Sequence, residues 1–471
     1  MNTRLRRYDM ENFRIEFEGE NGIEELFKKP PKHIQGERVK LLPFTTTKGK
    51  ENFNDFNGVV GAFSRLLCGK QAKLKFDVEQ FYMVLEESVD CNDQEKAKLI
   101  QIIKELYMKD NSLLPFNIKS LNYIQSDGVQ EKLACFLFSI FESDDIRKEY
   151  HQKCETEESN VLQMLLFKSL PELRDGIIKE EQKYECVLPK IKEVFQKDFI
   201  YLLQNPDIYM MSIKRFLEYY FLFYIIQLAM KMDEFEEANR EKIEEVYMTL
   251  SWEVTSETRR GYRLGWKYIK GKRVIEQLFS HIVTLEFLAH NNENHYVDYI
   301  DIYKKVKNNE NDESVAQQVV RIREGYKNWI NMDFTDCKHN KSKDRECKTA
   351  NEIRYLYETI DYQFKNGTRK AAYGRYSARF IEFVQSSFGK RRGALGYTFN
   401  ITEQDIILFT QIILGENGGR VRLDKLFVEF AKRGLLFDRD SQNMIVVLFD
   451  KLNLLEKKSD SGESQYVKSV L

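Results

Sequence analysis

The sequence predicts a mainly α protein, a multi-helix body followed by a C-terminal module in which helices alternate with short strands. Three observations carry this. Apolar residues recur at intervals of three and four through most of the chain. Breakers of long elements are scarce, with 7 Pro and 23 Gly in 471 residues, and core material is plentiful, with 33 Phe and 25 Tyr. At roughly 150 residues per domain, this length corresponds to about three domains.

Residues 1–50 lack a helical period and contain Pro30-Pro31 and Thr45-Thr46-Thr47, so they read as an extended or loosely ordered N-terminal segment. Residues 51–330 read as the helical body. Its clearest helix is capped by Asn92, answered three positions on by Glu95, and aligns Leu99, Ile102, Ile103 and Leu106. The same periodicity predicts helices over 130–141, 191–203, 211–232, 242–249, 274–290 and 315–330. Within them Tyr219–Met230 is very apolar, but it is shorter than the roughly 20 residues a bilayer requires, and Lys214, Arg215, Glu218, Lys231 and Asp233 flank it. It reads as a buried core helix.

Residues 331–400 read as a linker and a basic helical segment, because Asn331–Ala350 loses its period and turns polar. Cys337, His339 and Cys347 cluster there, without a fourth ligand or the paired spacing of a structural zinc site. The seven cysteines are odd in number and scattered, which argues for reduced thiols.

Residues 401–471 are most informative through the order of their elements. Thr402 caps a first helix with Asp405 three positions on, and Gly415 is expected to stop it. A short Arg420-Val421-Arg422 strand follows, then a helix from Leu423 to Arg433 with Gly434 as its stop. A third helix, capped by Asp438 or Asp440, carries Met444, Ile445, Leu448 and Leu452. Leu454–Lys458 and Gln465–Val470 then form a hairpin across the turn Ser459–Ser464. This is the order of a winged-helix, helix-turn-helix-like module, with the third helix as reader and the hairpin as wing. The reader would offer Arg439, Gln442 and Asn443 to base edges, but Asp438, Asp440 and Asp450 would repel phosphates. That mixture favours a protein contact.

Lys and Arg (73) balance Asp and Glu (74), so a nucleic-acid contact must come from a local patch. Two segments break the balance. Arg259, Arg260, Arg263, Lys267, Lys270, Lys272 and Arg273 alternate with Tyr262, Trp266 and Tyr268, and Gly261, Gly265 and Gly271 would let the backbone approach a ligand. Lys365, Arg369, Lys370, Arg375, Arg379, Lys390, Arg391 and Arg392 interleave with Tyr373, Tyr376 and Phe380. Cations neutralise phosphates and rings stack on bases, so both segments suit nucleic acid, single-stranded DNA included. The alternative is that they are solvated faces paired with acidic stretches such as 233–245.

There is no P-loop, no H-E-x-x-H and no G-x-S-x-G, and no cofactor is implied. Asp298, Asp301 and Lys304 have the composition of a metal-dependent nuclease site, but a chain that is 31% charged makes such sets by chance. The start MNTRLRRYDMENF has no apolar stretch behind its charges, which points to the cytoplasm. The sequence therefore predicts no enzymatic activity.

The tail from Arg433 resembles the C-terminus of the DptG (DndG) family of bacterial DNA phosphorothioation-dependent restriction systems. The likeness rests on Arg433-Gly434, Phe437-Asp438, the Leu454–Lys458 strand, Ser459-Asp460-Ser461-Gly462 and Tyr466-Val467, and it covers about the last seventy residues. The resemblance implies a non-catalytic adaptor that works beside the ATPase subunits DptF and DptH against DNA lacking the sulfur modification. The competing readings are a metal-dependent nuclease subunit and a stand-alone DNA-binding regulator.

Overall fold

A computed structural model of the chain describes residues 27, 33, 36, 38–47, 55–71, 76–155, 160–176, 178, 183–289, 298–307, 312–457 and 465–469. The fold is mainly α. Its residues fall into two compact units, each assembled from separated stretches of sequence. Unit 1 draws on Met1–Lys50, Tyr224–Glu244 and Trp266–Gln385; unit 2 draws on Glu51–Phe223, Glu245–Gly265 and Ser386–Leu471. Pro30-Pro31 and the turn 459–464 lie outside the described residues.

Unit 1 is built on the helices Val274–Leu288, Asp312–Ile330, Lys348–Asn366 and Lys370–Ser387, the last contributing up to Gln385. Val274–Leu288 is buried along nearly its whole length, as its run of Val, Ile, Leu and Phe requires. Its Phe279 lies 4.7 Å from the Phe364 ring and 4.8 Å from Tyr376. Each such ring removed from water contributes about 2–3 kcal/mol. Residues 38–44 carry no regular structure, yet Val39, Leu41, Leu42 and Phe44 are buried, and Glu286 accepts the backbone N–H groups of Arg38 and Val39. This part of the N-terminal segment is extended but not loose, because its apolar side chains complete the unit's core.

In unit 2 the helices Asn57–Leu67 and Gly128–Phe141 pack together, and the ring of Phe141 stacks on Phe195 of the helix Pro189–Gln204 at 4.1 Å. A satellite core of Phe81, Leu85, Ile103, Leu113, Leu166 and Leu170 joins the helices Val78–Glu87, Asp93–Tyr107 and Val161–Ser169. The expected capping box forms at Asn92 and Glu95. The long helix Pro206–Asp233 supplies residues to both units and buries Tyr219–Met230 throughout. Among the described residues no helix is long and apolar enough to cross a membrane.

The last part of unit 2 runs helix Glu403–Glu416, strand Arg420–Arg422, helix Leu423–Lys432, helix Arg439–Lys451, and strands Leu455–Lys457 and Gln465–Lys468. The strands form one antiparallel sheet with Gln465–Lys468 in the middle, pairing Val421 with Val467 and Leu455 with Val467. Thr402 and Asp405 form the expected capping box.

Two local expectations are corrected. Gly415 does not stop the first helix. It is a helical position against which the Tyr201 ring lies, where a Cβ would collide, and the helix ends instead before Gly418 and Gly419, both at positive φ (70° and 80°). Residues 242–249 are not helical. The side chains from Val246 to Leu250, β-branched and aromatic ones among them, are all buried, and the backbone pairs in parallel bridges, Tyr247 with Leu436 and Leu250 with Ile401.

Candidate nucleic-acid interface

The cations singled out in the sequence divide between the two units and between two kinds of environment. In unit 2, Arg259 is turned inward. Its Nε donates to Asp438 at 3.1 Å, its Nη2 to Ser441 Oγ at 2.7 Å and to Glu253 at 3.3 Å, and its Nη1 to the Val254 carbonyl at 3.0 Å. Asp438 caps the helix Arg439–Lys451 by accepting from Ser441 N, and it also takes the Gly261 N–H at 3.0 Å. Burial alone would raise this carboxyl, but Arg259 and the two N–H groups outweigh it and hold the pKa below the usual range. Arg259 is thus a clamp on the N-terminus of the helix Arg439–Lys451.

Lys390 and Arg392 are likewise half-buried. Lys390 donates to the Ser251 carbonyl, while Arg392 donates to the Glu253 carbonyl at 2.6 Å and to Leu250 at 2.7 Å. They satisfy carbonyls of the irregular 249–254 stretch, which has no ladder of its own to do so. Between them Arg391 faces solvent, because alternate residues of the strand Gly389–Arg391 point to opposite sides. Arg260 and Arg263 are exposed, with the Arg260 guanidinium 5.2 Å from the Tyr247 ring centre. Gly261 and Gly265 admit the chain's own backbone: a Cβ at Gly265 would meet the carbonyl oxygens of Gly261 and Tyr247.

In unit 1, Lys267, Lys270, Lys272 and Arg273 are exposed on and just after the helix Trp266–Lys272. Lys272 sits over the Tyr268 ring and 3.5 Å from Asp233. Burial and Asp361 push the Tyr373 phenol up, while the charge of Arg273 pulls it down. Lys370, one turn from Tyr373, is exposed. Arg369 and Arg379 are half-buried, and Arg375 is tied to the Thr46 carbonyl at 2.9 Å. Lys365 pairs with Asp361.

Most aromatic residues of both segments face the other way; Tyr268 is half-exposed, with Lys272 over its ring. Tyr262, Trp266, Tyr373 and Tyr376 are 3–5% exposed and Phe380 is fully buried. The alternation of cation and ring in the sequence is the period of amphipathic helices, with rings on the core face and charges outside. Stacking on exposed bases is therefore not available to the buried rings. What the surface offers is charge for phosphates.

On the helix Arg439–Lys451, Arg439 and Asn443 are exposed, whereas Gln442 is half-buried and donates to the Phe437 carbonyl at 3.0 Å. Asp440, Asn443 and Val447 line one solvent face, with Val447 48% exposed. The carboxylates of Asp298 and Asp301 converge, but on Arg240, whose Nη2 lies 2.5 Å from each, and Asp298 also caps the helix Tyr299–Val306. Lys304 is exposed. His339 bonds Glu358, and Cys347 contacts Asp312. Among the described residues no group of three or more His, Cys, Asp or Glu is arranged to hold a metal ion.

The internal tethers of Arg259, Lys390, Arg392 and Gln442 were beyond sequence reasoning, as was the hub at Glu253. Their partners lie up to 188 residues away, and the stretch 242–249, read as helix, gave no sign of its backbone partners. No family model matches the chain, and no curated protein is significantly similar to it.

Proposed function

We propose that this chain is a non-catalytic adaptor of a phosphorothioation-dependent restriction complex, in which residues 401–471 act as a winged-helix module that docks a protein partner. The element order and the sheet with its last strand in the middle support the winged-helix reading. The observation that carries the docking role is the solvent face of the helix Arg439–Lys451. Asp440 and Asn443 share that face with the half-exposed Val447, and a carboxylate together with an exposed apolar side chain suits a protein surface better than a phosphate backbone.

DNA contact belongs, in this reading, to exposed cations of each unit taken by itself, Lys270, Arg273 and Lys370 in unit 1 and Arg263 and Arg391 in unit 2. Because the neighbouring rings, the half-exposed Tyr268 apart, are buried, the contact runs chiefly through backbone phosphates and favours duplex over single strands. The resemblance of the tail to DptG supplies the partners, ATPase subunits of the DptF and DptH type.

The test is co-purification of the full chain with those ATPases, comparing wild type with Val447→Glu. Loss of the complex with retained folding is the expected result. An undiminished complex, together with tight duplex binding that disappears on changing Arg439 and Asn443, would replace docking by DNA reading. Metal-dependent cutting by the chain alone, abolished by a carboxylate change, would replace the adaptor by a nuclease.

A further inference from the structure

Cys68 and Cys154 meet inside unit 2. Cys68 follows the helix Asn57–Leu67 as its C-cap, and Cys154 lies in the last turn of the helix Asp144–Glu155. Their sulfurs are 3.5 Å apart across 86 residues of sequence, and both thiols are reduced and half-buried. A disulfide requires the sulfurs to close by roughly 1.5 Å, within reach of side-chain rotation and small backbone shifts. The two sulfurs are also unequal. Cys154 Sγ accepts from the Cys68 thiol and lies 3.8 Å from the Asn122 Nδ2 donor. Hydrogen bonds to a sulfur favour its thiolate, the form that reacts with oxidants.

We propose that Cys68 and Cys154 form a reversible dithiol–disulfide couple that responds to hydroperoxides, with Cys154 as the attacking and Cys68 as the resolving thiol. In the first step the Cys154 thiolate displaces hydroxide from hydrogen peroxide and becomes a sulfenic acid, and the thiol's proton leaves with the hydroxide as water. In the second the Cys68 sulfur attacks the sulfenic sulfur, its proton departing with the sulfenic oxygen as a second water. Two electrons pass to the peroxide, and a thiol reductant returns both sulfurs to the starting state. The bond ties the end of one helix to the end of another and closes a long loop, so oxidation stiffens unit 2.

The experiment treats the full native chain with hydrogen peroxide, alkylates the remaining thiols, and maps the digest by mass spectrometry. The expected result is a linked pair of peptides carrying Cys68 and Cys154, reversed by dithiothreitol, and a melting temperature raised by roughly 5–10 °C. In Cys68→Ser a sulfenic acid trap should label Cys154, and in Cys154→Ser the same trap should leave Cys68 unlabelled. Cys68 and Cys154 remaining fully alkylatable while other cysteines oxidise, or linking only after denaturation, overturns the proposal. Labelling of Cys68 instead of Cys154 overturns the assigned order. Should the serine variants fail to fold, the wild-type peptide map decides by itself.

Discussion

Arg433 and Asp198 form a buried ion pair, Nη2 to Oδ1 at 2.6 Å and Nε to Oδ2 at 2.9 Å, with no part of Asp198 open to solvent. Tyr220 donates its hydroxyl to the same carboxylate at 2.6 Å, and Glu416 takes a further guanidinium N–H at 2.8 Å. Burial drives the Asp198 carboxyl up to about 6, against the pull of Arg433 and the Tyr220 hydroxyl. The group joins the helix Pro189–Gln204 to the end of the helix Leu423–Lys432. Arg433→Met strands a buried carboxylate and should cost about 3–5 kcal/mol, whereas Arg433→Met with Asp198→Leu should recover much of that stability. Urea unfolding of the two variants checks it; equal destabilisation would show that the pair itself, and not the orphaned charge, is what matters.

Gly434, the next residue, has φ of +75°, and a Cβ there would run into the Phe223 ring. Gly434→Ala should therefore destabilise the protein by about 1–3 kcal/mol, and the companion change Phe223→Leu should relieve the collision but not the backbone strain. Thermal melts of the single and double variants separate the two contributions.

Acid sensitivity should arise in unit 1 from His281. The ring is fully buried, stacked on Tyr357 and bonded to the Tyr299 hydroxyl at 3.0 Å, and burial lowers its pKa from 6.5 to about 3. The unfolded chain takes up the proton first. The resulting stability is fully present above pH 6.5 and disappears as the pH falls toward 3, by up to a few kcal/mol. His281→Phe should flatten denaturation midpoints over this window, leaving a residual slope from His33, which burial and Arg369 also lower to about 3. Parallel profiles for the variant and the wild type would exclude His281 as the source.

For DNA, the exposed cations are the informative ones. Lys270→Glu with Arg273→Glu, or Arg391→Glu alone, should weaken duplex binding at every sequence and reduce the salt slope by about 0.9 for each phosphate no longer neutralised. Thermal stability should stay within about 0.5 kcal/mol, because these side chains face water. Arg392→Glu is a different experiment. It removes donors from the Leu250 and Glu253 carbonyls, so a binding defect there would report unfolding as much as a missing phosphate ligand.

What was legible in the sequence was local. The capping boxes at Asn92 and Thr402 formed as read, because a side chain and a backbone N–H three residues apart need no distant partner. Helical periodicity located most of the body for the same reason. The stretch from Val246 to Leu250 reads as helix in isolation because its backbone partners, Ile401 and Leu436, lie some 150 or more residues further on. The basic segments were visible as composition, but which cations face outward is set by tertiary burial of the interleaved rings. Composition alone cannot distinguish a ring that stacks on a base from one that fills a core.

The interleaving of the units in sequence also bears on how the chain is made. Unit 2 begins at residue 51, yet Asp198 waits for Arg433, and the backbone of Tyr247 and Leu250 waits for Leu436 and Ile401. During translation at about 5–20 residues per second, the half-made unit would spend roughly 10–50 seconds on the ribosome between these two regions, with a buried acid uncompensated and unpaired backbone exposed. Folding of this unit is therefore tied to completion of the C-terminal region, and a ribosome that stalls before residue 433 should yield a chain prone to aggregation and a client for chaperones.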